Sequence, residues 1–474
     1  MPGVRFLLLI IFLFALAFCS KKSGEQPTLS VASLEEVFTA EGGSRKVAVA
    51  SNSEWAGNSS QMWCMPTWTG NNGNGEITIS VQPNTAATER SAIITVVSGS
   101  LQKELRVRQL GRASTDSIPP DQTGMRPLTA IELAKDMKLG WNLGNSLDAV
   151  GSETAWGNPV VSQRLIDSVK AAGFNAVRIP IAWSKFSDAA AYKIDTAWMG
   201  RVETVVNYVL RNGMYAVINI HWDGGWMQPT YASQVAVNNR LKTMWRQIAI
   251  RFRNYDDKLL FAGTNEVMKD GDYGTPTPEY YTVQNSYNQT FVTAVRATGG
   301  RNTYRHLVVQ GFNTNIDHAV AFLKITADPT PQRLMVEVHY YDPYNFTLNE
   351  NNNTITQWGK DATDPAKSES WAAEAYADRQ FQKMKTVFID KGYPVLLGEY
   401  GAIARLNLGS AAANAEHAAY RIYYTGYITR SAAAQGLIPF YWDNGFTGDK
   451  GMGIFNRNTG AKAFPEMVKA ITGK

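Results

Sequence analysis

At 474 residues, with 44% hydrophobic and 18% charged side chains, the chain reads as a folded protein of more than one domain rather than a disordered one. A net charge of +5 is small for this length, and no dense basic run follows the N-terminus, which argues against a nucleic-acid partner. Two cysteines, Cys19 and Cys64, exclude a disulfide scaffold and a cysteine-rich zinc site. Aromatic residues reach 11%, with 13 Trp and 21 Tyr. Such side chains offer the flat apolar faces and polar tips that sugar clefts use, although a large mixed domain buries most of them in any case.

In chain order, Phe6 to Phe18 is an almost unbroken apolar run, too short for an ordinary membrane span and suited to the core of an export signal. Leu16-Ala17-Phe18-Cys19 resembles the lipobox of bacterial lipoproteins, in which the cysteine is lipidated and becomes the new N-terminus; Phe18 departs from the small residue usual there. The resemblance implies a chain exported and held at the bacterial envelope by an acyl anchor on Cys19, in the periplasm or at the cell surface. A conventionally cleaved signal, giving a secreted protein, is the alternative. Residues 20–27 are polar and read as a tether.

Residues 28–111 have an all-β texture. Val47 to Ala50, Glu76 to Val81, Ser91 to Val97 and Leu105 to Val107 are short strands between Gly/Asn/Ser clusters, a pattern that predicts a small β-sandwich. The segments Ser53-Glu54-Trp55, Gly73 to Ile79, Arg90 to Val96 and Val107 to Leu110 resemble the BACON module, an immunoglobulin-like domain often found before glycosidases. Trp55, Trp63 and Trp68 fit either packing or a sugar platform, with packing favoured. Cys64 is expected to be a buried thiol. Residues 112–125, with Pro119-Pro120 and Gly124, read as a linker.

From residue 126 strand-like and helix-like stretches alternate. The strands are Leu139 to Asn142, Ala176 to Pro180, Ala216 to Ile220, Leu259 to Gly263, Leu307 to Gln310, Met335 to Val338, Val395 to Leu397 and Ile438 to Tyr441. Amphipathic segments such as Val161 to Ala172, with Leu165, Ile166 and Val169 on one face, and Val235 to Arg253 lie between them. Eight strands with intervening helices predict an α/β fold, a (β/α)₈ TIM barrel over residues 126–474.

A barrel enzyme keeps its chemistry where strands give way to loops. Here those positions carry Trp141-Asn142-Leu143-Gly144-Asn145, Arg178, His221-Trp222-Asp223, Asn265-Glu266, His339-Tyr340-Tyr341, Gly398-Glu399 and Tyr441-Trp442-Asp443. Each is weak evidence alone, and a structural salt bridge is the plain alternative for the two glutamates. In this order they resemble glycoside hydrolase family 5. Gly140 to Asp148, Glu153 to Pro159 and Gly173 to Pro180 look most like its subfamily four, which holds endo-β-1,4-glucanases and xyloglucanases. Two departures are Val267, where the family usually has Pro after Asn-Glu, and Trp222, where many relatives have a second His.

The resemblance implies a retaining endo-β-1,4-glucanase that hydrolyses cellulose-like, mixed-linkage or xyloglucan polysaccharide by double displacement. Glu266 is then the acid/base, needing a raised pKa, and Glu399 the ionised nucleophile, with their carboxyls about 5–5.5 Å apart rather than the roughly 6.5–9.5 Å of an inverting enzyme. Arg178 and Tyr341 would hold Glu399 charged. Asn265 would contact the sugar 2-hydroxyl, His221 and His339 would line the scissile subsite, and Trp442 would lie under the sugar. Asn145 and Trp156 would serve more distant subsites, with plain loop packing as the equal alternative. The long stretch Asp342 to Glu374 is expected to form a cleft wall, with Tyr344, Phe346 and Trp358 as contacts on the leaving-group side. No cofactor or metal is called for, since the five histidines are scattered and form no H-E-x-x-H motif. Nothing demands an oligomer, and a monomer is expected. An endo-β-mannanase or a non-catalytic glycan-binding barrel are the alternatives; Ser152 to Pro159 favours the glucanase.

Overall fold

A computed structural model describes residues 26–86, 88–111, 116–221 and 224–474. The apolar run at residues 6–18, Cys19 and Trp222 lie outside the described residues. The chain divides between residues 115 and 116 into two compact units.

The first unit is a sandwich of two four-stranded sheets. One orders Leu29–Val31, Gly43–Ser51, Gly75–Val81 and Cys64–Thr69; the other orders Glu35–Phe38, Leu101–Gln109, Arg90–Ser98 and Ala56–Ser59. Alternation drives it: Val47 and Val49, Ile77 and Ile79, Ala92, Ile94 and Val96, and Leu105 and Val107 are buried between the sheets while their neighbours face water. Trp55 belongs to this core, its indole donating to the Gly73 carbonyl at 2.8 Å. Trp63 is half-buried beneath Arg90, whose guanidinium lies 4.3 Å from the ring centre. Trp68 is exposed. Cys64 is a free, buried thiol, pushed up in pKa by that burial.

The second unit is the (β/α)₈ barrel. Its strands are β1 Gly140–Leu143, β2 Ala176–Ile179, β3 Tyr215–Asn219, β4 Leu259–Ala262, β5 Leu307–Gln310, β6 Leu334–Tyr340, β7 Val395–Tyr400 and β8 Ile438–Asp443. Neighbours pair in parallel, and β8 closes on β1 in a register that sets Gly140 opposite Phe440. All eight strands predicted from apolar runs are present, because strands covered on both faces need no polar alternation. Side chains do alternate in direction. Val177, Ile218, Phe261, Val309, Val338 and Leu397 pack outward against the helices. Val217, Leu260, Val308, Met335, Leu396 and Phe440 fill the interior.

The linker expected over residues 112–125 is corrected from residue 116 onward; residues 112–115 lie outside the described residues. From Asp116 onward the chain is tied to the barrel: Ile118–Pro120 pairs with Gly299–Gly300, and Met125 is buried. Pro-Pro signals a break in most contexts, but an edge strand tolerates proline because one row of its amides needs no partner. The pairing requires Gly299, which has φ +66°; a Cβ there would stand 1.8 Å from the Ile118 carbonyl oxygen. Gly299→Ala should therefore destabilise the barrel unit by about 2 kcal/mol, from left-handed strain and the collision. Denaturant unfolding measures that loss. Hydrogen exchange should quicken at the Ile118 amide, which donates to the Thr298 carbonyl at 3.2 Å.

Candidate active site

One step above the apolar interior layer, the same inward alternation continues with Arg178 on β2 and Glu337 on β6. Both are fully buried. Arg178 Nη1 donates to Glu399 Oε1 at 2.8 Å and to Asn142 Oδ1 at 2.9 Å. Its Nη2 donates to Asn265 Oδ1, and its Nε lies 2.8 Å from Glu337 Oε1. One guanidinium thus joins groups from β1, β6, β7 and the loop after β4.

Glu399 reaches this interior through an irregularity. Leu396 points inward, so regular alternation would turn Glu399 outward. The register with β6 slips by one residue: Val338 faces Leu397, but His339 faces Glu399. Gly398 is the extra residue of a β-bulge, which re-aims the carboxylate. The bulge carbonyl is held by Asn142, whose amide donates to it at 2.8 Å.

Glu266 follows β4 with φ +45°, a strained conformation for a residue with a side chain. Val267, in place of the family's proline, is buried, and its carbonyl accepts from the Asn313 amide at 2.9 Å. One oxygen of Glu266 and one of Glu399 lie within 4.8 Å of each other. That close approach fits the short separation of a retaining pair rather than the roughly 6.5–9.5 Å of an inverting one.

His339 bridges the carboxylates. Its Nδ1 is 2.7 Å from Glu266 Oε1 and 3.7 Å from Glu399 Oε2, and its Nε2 is 3.2 Å from Glu337 Oε1. Both ring nitrogens lie beside carboxylate oxygens, a setting that favours the doubly protonated ring. Burial alone would lower its pKa, but the Glu399, Glu266 and Glu337 carboxylates raise it to about 9. Ligand atoms of Glu266, His339 and Glu399 all lie within 4.8 Å of one another.

The expectation of a raised pKa at Glu266 is reversed in this structure. Burial pushes it up, but the His339 hydrogen bond and charge, with Arg178, bring it below the usual carboxylate value. Its side chain is also 40% exposed, against 7% for Glu399. Glu399 is pushed up by burial and by the Glu266 and Glu337 charges, against the pull of His339 and Arg178. Tyr341 donates its hydroxyl to Glu399 Oε2 at 3.1 Å. Three carboxylates here face two cations, so their protons are shared and the pair titrates as a unit.

The remaining predicted residues divide. His221 accepts at Nδ1 from the Asn219 amide at 3.1 Å, and burial, Arg178 and His339 hold its pKa well below normal, so it is a neutral ring with its proton on Nε2. It lies parallel to Trp442, with ring centres 6.0 Å apart. Trp442 is half-buried beside Gly144, where a Cβ would stand 2.7 Å from its ring. Asn265 is oriented by Arg178, and its amide nitrogen has no hydrogen-bond partner among the described residues. Asn145 is half-buried at φ 55°, in the loop that follows β1. Asn158 ties that loop to Asn444 after β8, and the exposed Trp156 rides on the same loop as Asn158.

Trp358 and Phe346 are corrected. Trp358 is 1% exposed, donates to the Ala372 carbonyl at 2.8 Å and packs against Tyr423, Tyr424 and Tyr427. Phe346 is buried against His417 and Tyr424. A long polar stretch still needs an apolar underside to stay in place, and these two rings supply it. Tyr344 is exposed and lines a cavity of about 540 Å³ with Glu266, Tyr273, Asn313, Tyr341 and Tyr376. The sequence reading missed Glu337. Its signal was present: a glutamate two residues before His339, on the same strand face, inside an apolar run where an unpaired carboxylate is rare.

The chain matches the family description "Cellulase (glycosyl hydrolase family 5)" over residues 142–448 and the BACON description "Putative binding domain, N-terminal" over residues 53–110. It is 41% identical to a xyloglucan-specific endo-beta-1,4-glucanase of Bacteroides ovatus, across 99% of this chain and 96% of that protein. It is 40% identical to endoglucanase A of Paenibacillus barcinonensis, across 73% of this chain and 90% of that protein. The solved structure of a Bacteroides ovatus GH5 xyloglucanase in complex with a XXXG heptasaccharide superposes with a TM-score of 0.73 at 40% identity, covering 94% of this chain and 99% of that one.

The charged His339 carries a stability consequence. Its folded pKa of about 9 lies above the ordinary 6.5, so its contribution is full below pH 6.5 and is lost as pH rises through about 9. Thermal unfolding across that window should show a steeper fall in Tm for the wild type than for His339→Gln. Parallel curves would remove the charge from His339.

Proposed function

The chain belongs to glycosyl hydrolase family 5 and is a glycoside hydrolase, and from that premise we propose a retaining endo-β-1,4-glucanase that cleaves xyloglucan and unbranched β-1,4-glucan by double displacement. The observation that carries the mechanism is the approach of Glu266 and Glu399 to within 4.8 Å, with only Glu399 locked by Arg178. The similarity to a xyloglucan-specific endo-beta-1,4-glucanase along almost the whole chain supports the branched substrate.

A glycosidic oxygen leaves poorly unless it is protonated. Glu399, charged and held from both oxygens, attacks the anomeric carbon as Glu266 gives its proton to the leaving oxygen. Substrate seated against the exposed edge of Glu266 strips water from it, and desolvation favours the neutral carboxyl. The bound sugar thereby moves the shared proton to the residue that must donate it. After the leaving group departs, Glu399 is an ester and Glu266 an anion. Glu266 then takes a proton from water as that water attacks the same carbon from the side the leaving group vacated. The Asn265 amide donates to the 2-hydroxyl, a bond that strengthens as positive charge grows on the sugar ring. Trp442 offers its face beneath that sugar.

Reducing-sugar release from xyloglucan, barley glucan, carboxymethylcellulose and mannan tests the reading. Glu399→Ala should lose at least about 10³-fold on every substrate that the wild type cleaves. Glu266→Ala should lose about 10²–10⁴-fold on polysaccharide but keep a rapid first step on an aryl glycoside, whose leaving group needs no proton. Full activity in Glu399→Ala would remove that residue from the mechanism, and release from mannan alone would overturn the glucanase assignment.

Export and acylation at Cys19 remain part of the reading, supported by the apolar run that ends there. In a bacterial host that processes lipoproteins, Cys19→Ala should move the protein from the membrane to the soluble fraction. Equal membrane recovery would overturn the anchor.

A further inference from the structure

We propose that Glu337 is a positioning residue of this active site, a buried third carboxylate that fixes the Arg178 and His339 donors and, through its charge, sets where on the pH scale the Glu266–Glu399 pair works. The inference rests on reading Glu266 and Glu399 as the reacting pair.

Glu337 does not touch substrate, being fully enclosed within the barrel. Its Oε1 is shared by two cations, lying 2.8 Å from Arg178 Nε and 3.2 Å from His339 Nε2. Those contacts fix the two groups that reach Glu399 and Glu266 from their other ends. The fold makes room for this carboxylate at some cost in freedom. A Cβ at Gly398 would stand 2.3 Å from Glu337 Oε1, so the residue beside the nucleophile can only be glycine while Glu337 occupies that place. The bulge that aims Glu399 and the seat of Glu337 are thus one piece of construction.

The charges around it can be counted strand by strand. Arg178 comes from β2 and His339 from β6, and both are positive. His221, after β3, is neutral. Glu266 follows β4, and Gln310 on β5 is the uncharged cross-strand neighbour of Glu337. Tyr341, after β6, is kept protonated by burial and by the Glu399 and Glu266 charges. Glu399 stands on β7. With Glu337 ionised, one cation is offset and a single positive charge remains for the reacting pair. The Glu337 charge thereby favours keeping one proton on the pair, which is the state that double displacement needs at its start. Without the Glu337 charge, two cations would face two carboxylates, and the pair would give up that proton at lower pH. Burial makes the effect large, because little water screens these charges.

The experiment is the pH dependence of kcat/KM for Glu337→Gln and Glu337→Asp beside the wild type, on a soluble glucan. In Glu337→Gln, Glu399 ionises more readily and Glu266 loses its proton earlier, so both limbs should move to lower pH by about one unit. Limbs that stay in place while the rate falls would make Glu337 a packing residue and overturn the proposal. Glu337→Asp keeps the charge but withdraws it by one methylene. It should leave both limbs at the wild-type positions and lower kcat about tenfold with KM little changed, since substrate contacts are untouched. Should Glu337→Gln not fold, the aspartate variant decides: a shift of its limbs as large as one unit would overturn the proposal. Failure of the catalytic pair itself would show separately, as activity retained in Glu399→Ala.

Discussion

The guanidinium of Arg178 is the constraint on which the site depends. It is fully buried and has no water to fall back on, so every donor must find its partner inside the barrel. It finds them on Asn142, Asn265 and Glu399, with Glu337 beside it. A lysine would place the same charge but could not address four groups lying in different directions. The side chain converts the closure of eight strands into a fixed relation between residues far apart in sequence. The positions of the nucleophile and of the asparagine expected to meet the sugar are both read off one planar group.

Burial also gives the network its chemical character. Charges enclosed in this way are held only when the set is complete; a partial set leaves an uncompensated ion. The set here is odd, with two cations and three carboxylates. The unmatched negative charge favours keeping a proton among its acids, and general acid catalysis requires such a proton. The asymmetry between a half-exposed Glu266 and an enclosed Glu399 then assigns the roles. Only the exposed member changes its solvation when substrate arrives.

The barrel was legible because its strands are short apolar runs ending in polar residues, and that grammar survives without tertiary information. Arg178, Asn265, Glu266, His339, Tyr341 and Glu399 come together as their places on successive strand ends imply. Other features could not be read from local pattern. Trp358 and Phe346 sit in a polar stretch, and composition cannot tell a ring that plugs a loop from one that faces a cleft. Pro119-Pro120 announced a break, and only the opposite edge at Gly299–Gly300 shows that it pairs. The lowered pKa of Glu266 could not be read from the sequence because the neighbour that lowers it, His339, is 73 positions away. Glu337 was visible as a charge in an apolar strand, but its meaning required knowing which two cations stand over it.

The slip at Gly398 has a wider implication. Composition alone does not make β7 a reactive strand; its phase does. The same residues paired with β6 in unbroken register, without the slip at Gly398, would present that carboxylate to the surrounding helices, leaving the barrel intact and chemically inert. Catalytic competence in this scaffold is therefore a matter of counting, and any transplant of the site into another barrel must carry the offset along with the side chains.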